Sequence, residues 1–431
     1  MTKRNLFKNI FSLGSVQIIN YIFPLITVPY ISRIIGPEGY GILNYTTAFI
    51  SYFTLLISYG FDLTGTRRIA QNSNNLEKIT AIVSEVISSR TILYVISLVA
   101  FVFSVHFFGP IRENKLVAII LFIGTISSLI SPQYIFQGMQ RLTIFAKLNF
   151  VKGVINTVLI FILIKKPDDY ILIAALNTIF SIAINLFLYF YANKLFGIRY
   201  KFCALNKALN VLNKEKLIFL STVVISLYTT TNTVVLGIFV EPKEVGYYTT
   251  SIGFINIINS VINAPISKSL YPFISTAFAS SKEYGIEIVK KILPVIMYLT
   301  FIASIFLFIF APSIINIFYG KQFELSISSL RIISFLPFIV GLSNVLGIQI
   351  MLNLGLDKLF FRATAIASIF GVVLNIFMSK KYGYIGTAWN SIIVESFVTI
   401  LMYLTLIKAN IKIFDLKYFN LKRILLFIFK K

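Results

Sequence analysis

Four ionisable side chains lie inside long apolar stretches of this sequence. Arg90, Lys152 and Lys268 lie towards the ends of their stretches, whereas Glu395 lies near the middle of its own. A charge at the centre of a bilayer costs about 2.5–3.5 kcal/mol on insertion scales, so Glu395 needs a cation, a proton or water. Grouped cations suit phosphate groups, which Arg can bind through two parallel hydrogen bonds. A mid-membrane carboxylate suits coupling to a proton or sodium gradient.

Each of these residues also has a simpler explanation. Long cationic side chains near the end of a span can extend to the headgroups without binding any ligand. Glu395 can instead form a fixed ion pair or hydrogen bond that ties its helix to a neighbouring helix. The sequence leaves both explanations open beside the functional ones.

Amide side chains form a second pattern in the apolar stretches. Asn256, Asn259 and Asn263 are spaced by three and four residues, which places them on one face of a helix. Asn20 and Asn344 lie in two further apolar stretches. Such amides either join helices through hydrogen bonds or line a water-filled cavity. Because a dry interface rarely satisfies three amides in a row, we favour a cavity for the stripe.

Catalytic patterns are missing from the sequence. HExxH, GxSxG, P-loop and CxxC motifs do not occur, and the chain has a single cysteine, Cys203, and a single histidine, His106. We therefore expect a protein that is not an enzyme and needs no cofactor. Without an ATP-binding element, any driving force must come from an ion gradient or from the substrate's own concentration difference.

The composition identifies the elements that must position these residues. The chain has 431 residues, of which 57% are apolar and only 13% are charged. A soluble domain has about 25% charged residues, so this chain is expected to be an all-α polytopic membrane protein. Apolar runs predict twelve transmembrane helices, at 10–32, 41–61, 87–108, 116–137, 148–164, 171–192, 218–239, 247–272, 292–312, 329–352, 363–379 and 387–407.

Basic residues predict the orientation of these helices. Lys and Arg exceed Asp and Glu by 23, and 26 of the 39 basic residues fall in the termini and in every second loop, against 10 in the alternate loops. Cytoplasmic loops carry such an excess, so both termini are expected in the cytoplasm, and the charge does not indicate nucleic acid. The loop 193–217 is predicted to be a basic cytoplasmic connector that lies on the membrane surface, and the tail 408–431 to be partly interfacial.

The two halves of the chain resemble each other. IGPEGYG at 35–41 and VEPKEVG at 240–246 align without gaps at an offset of 205 residues. An offset of six spans preserves orientation, which predicts two pseudo-symmetric six-helix lobes around a central cavity. The predicted organisation is an N-terminal lobe (1–192), the connector (193–217), a C-terminal lobe (218–407) and the tail (408–431).

Six segments in order carry a family resemblance: ISRIIGPEGYG (31–41), YGFDLTGTRRIA (59–70), PQYIFQGMQRL (132–142), NTVVLGIF (232–239), SLYPFIS (269–275) and YGYIGTAWNSIIVE (382–395). Together they resemble polysaccharide flippases of the O-antigen (Wzx) type, in the superfamily of lipid II flippases and multidrug (MATE) exporters. The resemblance covers essentially the whole chain. It implies alternating access in the bacterial inner membrane and transport of an undecaprenyl-pyrophosphate-linked oligosaccharide.

The resemblance gives the candidate residues their expected roles. Arg90, Lys152 and Lys268 would bind the pyrophosphate, together with Arg33 and Arg67 from the matching motifs. The amides named above would contact sugar hydroxyls, and Glu395 would serve coupling. Membrane lipids, a glycan polymerase and glycosyltransferases are the expected partners.

Three other classes of protein remain open. A MATE-like antiporter would be marked by carboxylates inside the first half of the membrane region and by an aromatic pocket. A membrane enzyme of glycan assembly would need long outer loops and clusters of acids or histidines. A purely structural scaffold would need neither Glu395 nor the asparagine stripe.

Overall fold

The structure is a computed structural model that describes the backbone of residues 3–420 and the side chains of residues 23–420, except those of 142, 228, 264–266, 268, 269 and 416. Within this part of the chain all of the regular secondary structure is helical. The α-helices are α1 (Lys3–Ser58), α2 (Phe61–Gln71), α3 (Leu76–Phe107), α4 (Gly109–Glu113), α5 (Lys115–Gly124), α6 (Ile126–Leu129), α7 (Gln133–Gly138), α8 (Leu142–Leu163), α9 (Tyr170–Phe196), α10 (Leu205–Thr229), α11 (Thr231–Phe239), α12 (Pro242–Ile258), α13 (Ala264–Ser280), α14 (Lys282–Phe318), α15 (Ser326–Ile333), α16 (Leu336–Asn344) and α17 (Asp357–Lys408).

Many of these helices can cross a membrane. In the described residues, eight helical stretches are long and apolar enough, or nine if the bent pair Leu205–Leu227 and Thr231–Phe239 is one span. The prediction of an all-α polytopic membrane protein is confirmed. Two of the eight, Phe23–Gln71 and Asp357–Lys408, have 49 and 52 residues. As straight helices they would exceed about 70 Å, more than twice the hydrocarbon thickness. The exact number of twelve spans remains a prediction.

Glycines interrupt both of these long stretches. Gly36 (φ 66°) and Gly383 (φ 56°) are non-helical positions within α1 and α17. The hydroxyls of Ser379 and Thr387 lie 2.7 Å apart, although eight residues of straight helix rise about 12 Å. The chain therefore turns back on itself around Gly383, between the predicted spans 363–379 and 387–407.

The two segments of the internal repeat have related structures. Pro37 follows the non-helical Gly36, and Pro242 occupies the first turn of α12 after the extended residue Glu241. Proline fits the first turn of a helix because its missing N–H would have no intrahelical partner there. The matched turns thus restart a helix in the same way in each half of the sequence.

The residues form two compact units, Met1–Val223 and Val224–Lys431. In the first unit, a buried cluster that includes Phe61, Val83 and Phe136 joins α2, α3 and α7. In the second unit, a buried cluster that includes Leu293 and Leu346 joins α14 to the segment after α16. The lobes, connector and tail defined from the sequence remain a prediction about domain organisation.

The predicted connector belongs to the first unit and packs against α3, a contact that its predicted place on the membrane surface did not include. The Lys201 backbone N–H donates to Ser84 Oγ at 3.1 Å, and the Cys203 N–H donates to Ser88 Oγ at 3.0 Å. Both serines belong to α3, one turn apart. The start of the connector is therefore held by α3, and its second part forms the first turns of α10.

Candidate functional site

Arg90 is surrounded by protein groups in the first unit. Its Nη2 donates to Asp62 Oδ1 at 2.9 Å, and its Nη1 donates to the Ser131 carbonyl at 2.9 Å. The guanidinium carbon lies 5.2 Å from the centre of the Tyr134 ring. The Arg90 side chain is 1% exposed, whereas that of Asp62 is 42% exposed. Water therefore reaches the carboxylate but not the guanidinium.

Asp62 owes its position to a break in the chain. Tyr59 and Gly60 both have positive φ angles, of 47° and 78°, and they separate α1 from the short helix α2. Asp62 lies in the first turn of α2, where a carboxylate also interacts favourably with the helix dipole. The break thus points the carboxylate of α2 at the guanidinium of α3.

A second charged group joins three helices close to this pair. Glu85 of α3 is buried and forms an ion pair with Arg68 of α2. Its other oxygen lies 3.2 Å from Lys207 Nζ of α10. None of these three residues was among the candidates predicted from the sequence. The available signals were an acid in a mostly apolar run and the charged residues of the segment 59–70.

The other predicted cations have different surroundings. Lys152 Nζ of α8 donates to Ser181 Oγ of α9 at 2.9 Å. Arg33 and Arg67 are exposed. Lys268 lies outside the described side chains. Arg90 and Lys152 therefore have different hydrogen-bond partners, and their shared role in binding pyrophosphate remains a prediction.

The asparagine stripe does not keep the α-helical spacing. Residues Asn259–Asn263 form a π-helix between α12 and α13. Asn263 is buried, and its Nδ2 donates to Asn259 Oδ1 at 2.7 Å and to the Pro337 carbonyl at 3.1 Å. Asn256 is exposed. The stripe thus begins with an exposed amide, Asn256, and ends with a buried amide, Asn263, that is hydrogen-bonded to α16.

A second π-helix, Val345–Met351, follows α16 and contacts α13. Asn344 Oδ1 accepts from Ser267 Oγ at 2.7 Å. Gln349 Nε2 donates to the Ser267 carbonyl at 3.1 Å. Asn344 and the second π segment are therefore hydrogen-bonded to Ser267 of α13, four residues after the end of the first π segment. Such π segments are frequent at functional sites. The side chain of Asn20 lies outside the described residues.

Glu395 lies in the second half of α17 and is partly buried. Its Oε1 accepts a hydrogen bond from Ser343 Oγ of α16 at 2.7 Å. Among the side chains that the structure describes, no Lys, Arg or His forms an ion pair with it. The carboxylate thus has a neutral partner on a neighbouring helix.

A buried neutral network in the second unit was not foreseen from the sequence. Asn232 Nδ2 donates to Ser391 Oγ at 3.1 Å, and Asn232 Oδ1 accepts from Asn390 Nδ2 at 3.0 Å. Tyr248 shares a hydrogen bond with Ser391, and Asn375 Nδ2 donates to the Asn232 carbonyl at 3.3 Å. These bonds join α11, α12 and both parts of α17 without any charge.

Comparison with known proteins gives the family. Residues 6–278 match the polysaccharide biosynthesis protein family. The chain is also 30% identical, over 413 residues, to a candidate O-antigen transporter of Escherichia coli (strain K12), covering 93% of this chain and 96% of that protein. The chain belongs to the polysaccharide biosynthesis protein family. The resemblance drawn from the six sequence segments is thereby confirmed.

Solved structures of two membrane transporters have a similar fold. The inward closed conformation of the lipid II flippase MurJ matches with a TM-score of 0.72 at 16% identity, over 96% of this chain and 89% of that one. A single-residue mutant of the Vibrio cholerae MATE transporter VcmN matches with a TM-score of 0.54 at 14% identity, over 94% of this chain and 96% of that one. The family member described here therefore has the fold of these membrane transporters.

The family segments contain many of the contacts described above. Asp62 and Arg68 lie in the segment 59–70, and Asn232 begins the segment 232–239. Asn390 and Ser391 lie in the segment 382–395. These residues hold helices together within each unit, so the segments that reveal the family include structural contacts as well as candidate ligands.

Proposed function

We propose that this protein is a flippase that moves a polyprenyl-pyrophosphate-linked oligosaccharide across the bacterial cytoplasmic membrane for surface polysaccharide assembly. The observation that carries this proposal is the 30% identity to a candidate O-antigen transporter, which spans 96% of that protein. The fold shared with a lipid II flippase is consistent with it. A MATE-like antiporter is less well supported, since the MATE match has the lower TM-score.

The chemistry of such a substrate explains why a protein is needed. The hydroxyls and charges of a glycan pyrophosphate would lose their hydrogen bonds in about 30 Å of hydrocarbon. The polyprenyl tail can stay in the lipid while the headgroup moves through a hydrated path. Transport then requires binding and conformational change but no covalent chemistry. The glycan polymerase and glycosyltransferases of the same pathway are the proposed partners.

The candidate residues take graded roles in this proposal. Arg33 and Arg67 are exposed and are proposed to bind the pyrophosphate. Lys152 and Lys268 are proposed to bind it as well. Arg90 would reach a pyrophosphate only after Asp62 and Ser131 release it. The amides proposed to contact sugar hydroxyls are Asn20, Asn256, Asn259, Asn263 and Asn344.

Complementation tests the proposed function. A strain that lacks its own O-antigen transporter should recover surface glycan when it produces this chain together with the pathway enzymes that make its lipid-linked unit. Arg67→Gln should reduce the recovery, whereas Arg67→Lys should retain most of it if charge is what matters. Normal membrane levels of the protein with no surface glycan, and no flipping of the lipid-linked unit by reconstituted protein, would contradict the proposal.

Glu395 offers a test of coupling. We propose that its carboxylate gains and loses a proton, or binds a cation, during transport, so flipping by Glu395→Gln protein should no longer respond to an imposed ion gradient. Gln retains an acceptor for the Ser343 hydroxyl but cannot ionise. The measurement is the initial flipping rate in proteoliposomes with and without a proton or sodium gradient.

Ser343→Ala is the matched control for this experiment. It removes the hydrogen bond between Ser343 and Glu395 and leaves the carboxylate able to ionise, so the gradient response should persist. If Glu395→Gln responds to the gradient as the parent does, coupling lies elsewhere. If Ser343→Ala and Glu395→Gln lose the response equally, the contact between α16 and α17 is what matters.

Cys203 tests the proposed cytoplasmic position of the connector and of both termini. Because it is the single cysteine of the chain, an impermeant thiol reagent should label the protein only after the cells are permeabilised. The control is Cys203→Ser/Lys380→Cys, which moves the thiol to an exposed position in a predicted outer loop. Intact cells should label that variant. The opposite labelling pattern would invert the proposed topology.

A further inference from the structure

A cleft opens between α3 and the connector in the first unit. Its volume is about 610 Å³, within the range of about 300–1,000 Å³ typical of small-ligand sites. One wall is the start of α3, and the other is the chain that follows α9. The lining residues are Leu76, Glu77, Thr80, Ala81, Ser84, Gly197, Arg199 and Lys201.

The connector wall presents two cations because apolar and basic residues alternate along it. Gly197, with φ of 69°, ends α9 and turns the chain. Ile198 and Tyr200 then pack into the core of the unit, while Arg199 and Lys201 line the cleft. In extended chain, successive side chains point in opposite directions. The inward packing of the two apolar residues therefore fixes both cations on the cleft side.

The backbone of this wall is held in place. The Lys201 N–H donates to Ser84 Oγ at 3.1 Å, and Ser84 is itself 8% exposed. Thr80, one turn before Ser84 on α3, also lines the cleft. The cleft also lies at the first turns of α3, where the helix dipole favours negative charge. Glu77 is the single acid among the lining residues.

Exposed apolar side chains adjoin these cations. Phe202 is 68% exposed, Leu205 is 60% exposed, and Leu76 on the α3 wall is 49% exposed. Cations beside exposed apolar groups are typical of protein surfaces that meet lipid headgroups and the adjoining acyl chains. The ligand expected from this combination has both a phosphate group and an apolar tail.

We propose that this cleft binds the phosphate headgroup of a membrane lipid, with Arg199 and Lys201 as its cationic ligands. Two sources share this chemistry, the anionic phospholipids of the bilayer and a polyprenyl diphosphate. With a phospholipid as the occupant, the proposal goes beyond the transport function; with the polyprenyl carrier as the occupant, it rests on that function. Binding is measured without any flipping, so the two can fail independently.

The test measures binding of short-chain lipids to the purified full chain in detergent micelles. The probes are a short-chain phosphatidylglycerol, farnesyl diphosphate and a glycolipid of matched chain length without phosphate. Arg199→Gln/Lys201→Gln should weaken binding of both phosphate probes by about tenfold or more, as expected for lost charge-assisted hydrogen bonds. The glycolipid should bind more weakly than either phosphate probe and should be unaffected by this change.

Lys214→Gln/Lys216→Gln is the matched control, because it removes the same charge from the same connector at exposed positions that do not line the cleft. It should change the affinity by less than about twofold. Equal losses in the two double variants would show general surface attraction and would overturn the proposal. So would unchanged binding in the Arg199/Lys201 variant.

A second variant keeps every charge and blocks the space. Thr80→Phe should fill the cleft and weaken binding of both phosphate probes, with folding checked by monodisperse elution. Undiminished binding to folded Thr80→Phe protein would place the ligand elsewhere. Tighter binding of farnesyl diphosphate would identify the polyprenyl carrier as the occupant, and tighter binding of phosphatidylglycerol would identify bulk phospholipid.

Discussion

Asp62→Ala is expected to lower the free energy of unfolding of the protein by about 3–5 kcal/mol, because it leaves a buried guanidinium without its counter-ion. Arg90 is 1% exposed, so water cannot replace the lost carboxylate. The variant should accumulate poorly in the membrane and lose monodispersity at a lower temperature in detergent.

Replacement of the other partner, Arg90, should lower the free energy of unfolding by less. Arg90→Met leaves a carboxylate that is 42% exposed and can be hydrated, and methionine retains much of the apolar bulk. Arg90→Met/Asp62→Ala should therefore be more stable than Asp62→Ala alone. The control is Arg67→Met, which removes an exposed charge from the same short helix as Asp62. If Asp62→Ala were as mild as Arg67→Met, the ion pair would not hold α2 to α3.

Gly383→Ala should be comparably damaging, with an expected loss of about 3–5 kcal/mol from backbone strain and a lost capping bond. The backbone of Gly383, at φ 56° and ψ −141°, lies in a region that side chains rarely permit. An added Cβ would also displace the Glu244 carboxylate, which would then lose the hydrogen bond that it accepts from the Tyr384 N–H at 3.3 Å. Thermal stability in detergent measures the loss.

Gly355→Ala separates the two causes. Gly355 also has a positive φ, of 71°, but a Cβ there would meet nothing within 4 Å. Its replacement should cost about 1 kcal/mol from strain alone. Equal effects at the two glycines would show that the Glu244 contact contributes nothing to the reversal in α17.

The class of this protein was predictable because a bilayer demands long apolar helices whatever their packing. The same logic predicts a break in the apolar sequence at Lys380 and Lys381, and the chain turns back close to them, around Gly383. The sequence could not show that residues 259–263 form a π-helix, because the asparagines there fit an α-helical face equally well. In the structure Asn263 donates to the carbonyl of Pro337, 74 residues away, and the local sequence gives no sign of this partner.

The candidate site was harder to predict for a related reason. The sequence predicts that Arg90 binds pyrophosphate or extends to the headgroups, whereas in the structure it pairs with Asp62, 28 residues earlier and on the other side of a turn. Hydropathy reports how costly a charge is and not which group compensates it. Neutral networks such as that around Asn232 give even less signal, because Asn, Ser and Tyr are common at ordinary helix contacts.

The docking of the connector onto α3 has a consequence for biosynthesis. The bond between Ser84 and Lys201 joins residues 117 positions apart, and those of the neighbouring Ser88 and Ser89 span 115 and 119. At about 5–20 residues per second, a ribosome needs roughly 6–24 s to supply the second partner. During that interval α3 has already been synthesised, but its three serines lack these partners and Glu85 lacks Lys207. The nascent first unit therefore has a row of polar side chains on α3 whose partners are supplied only by the last segment of that unit.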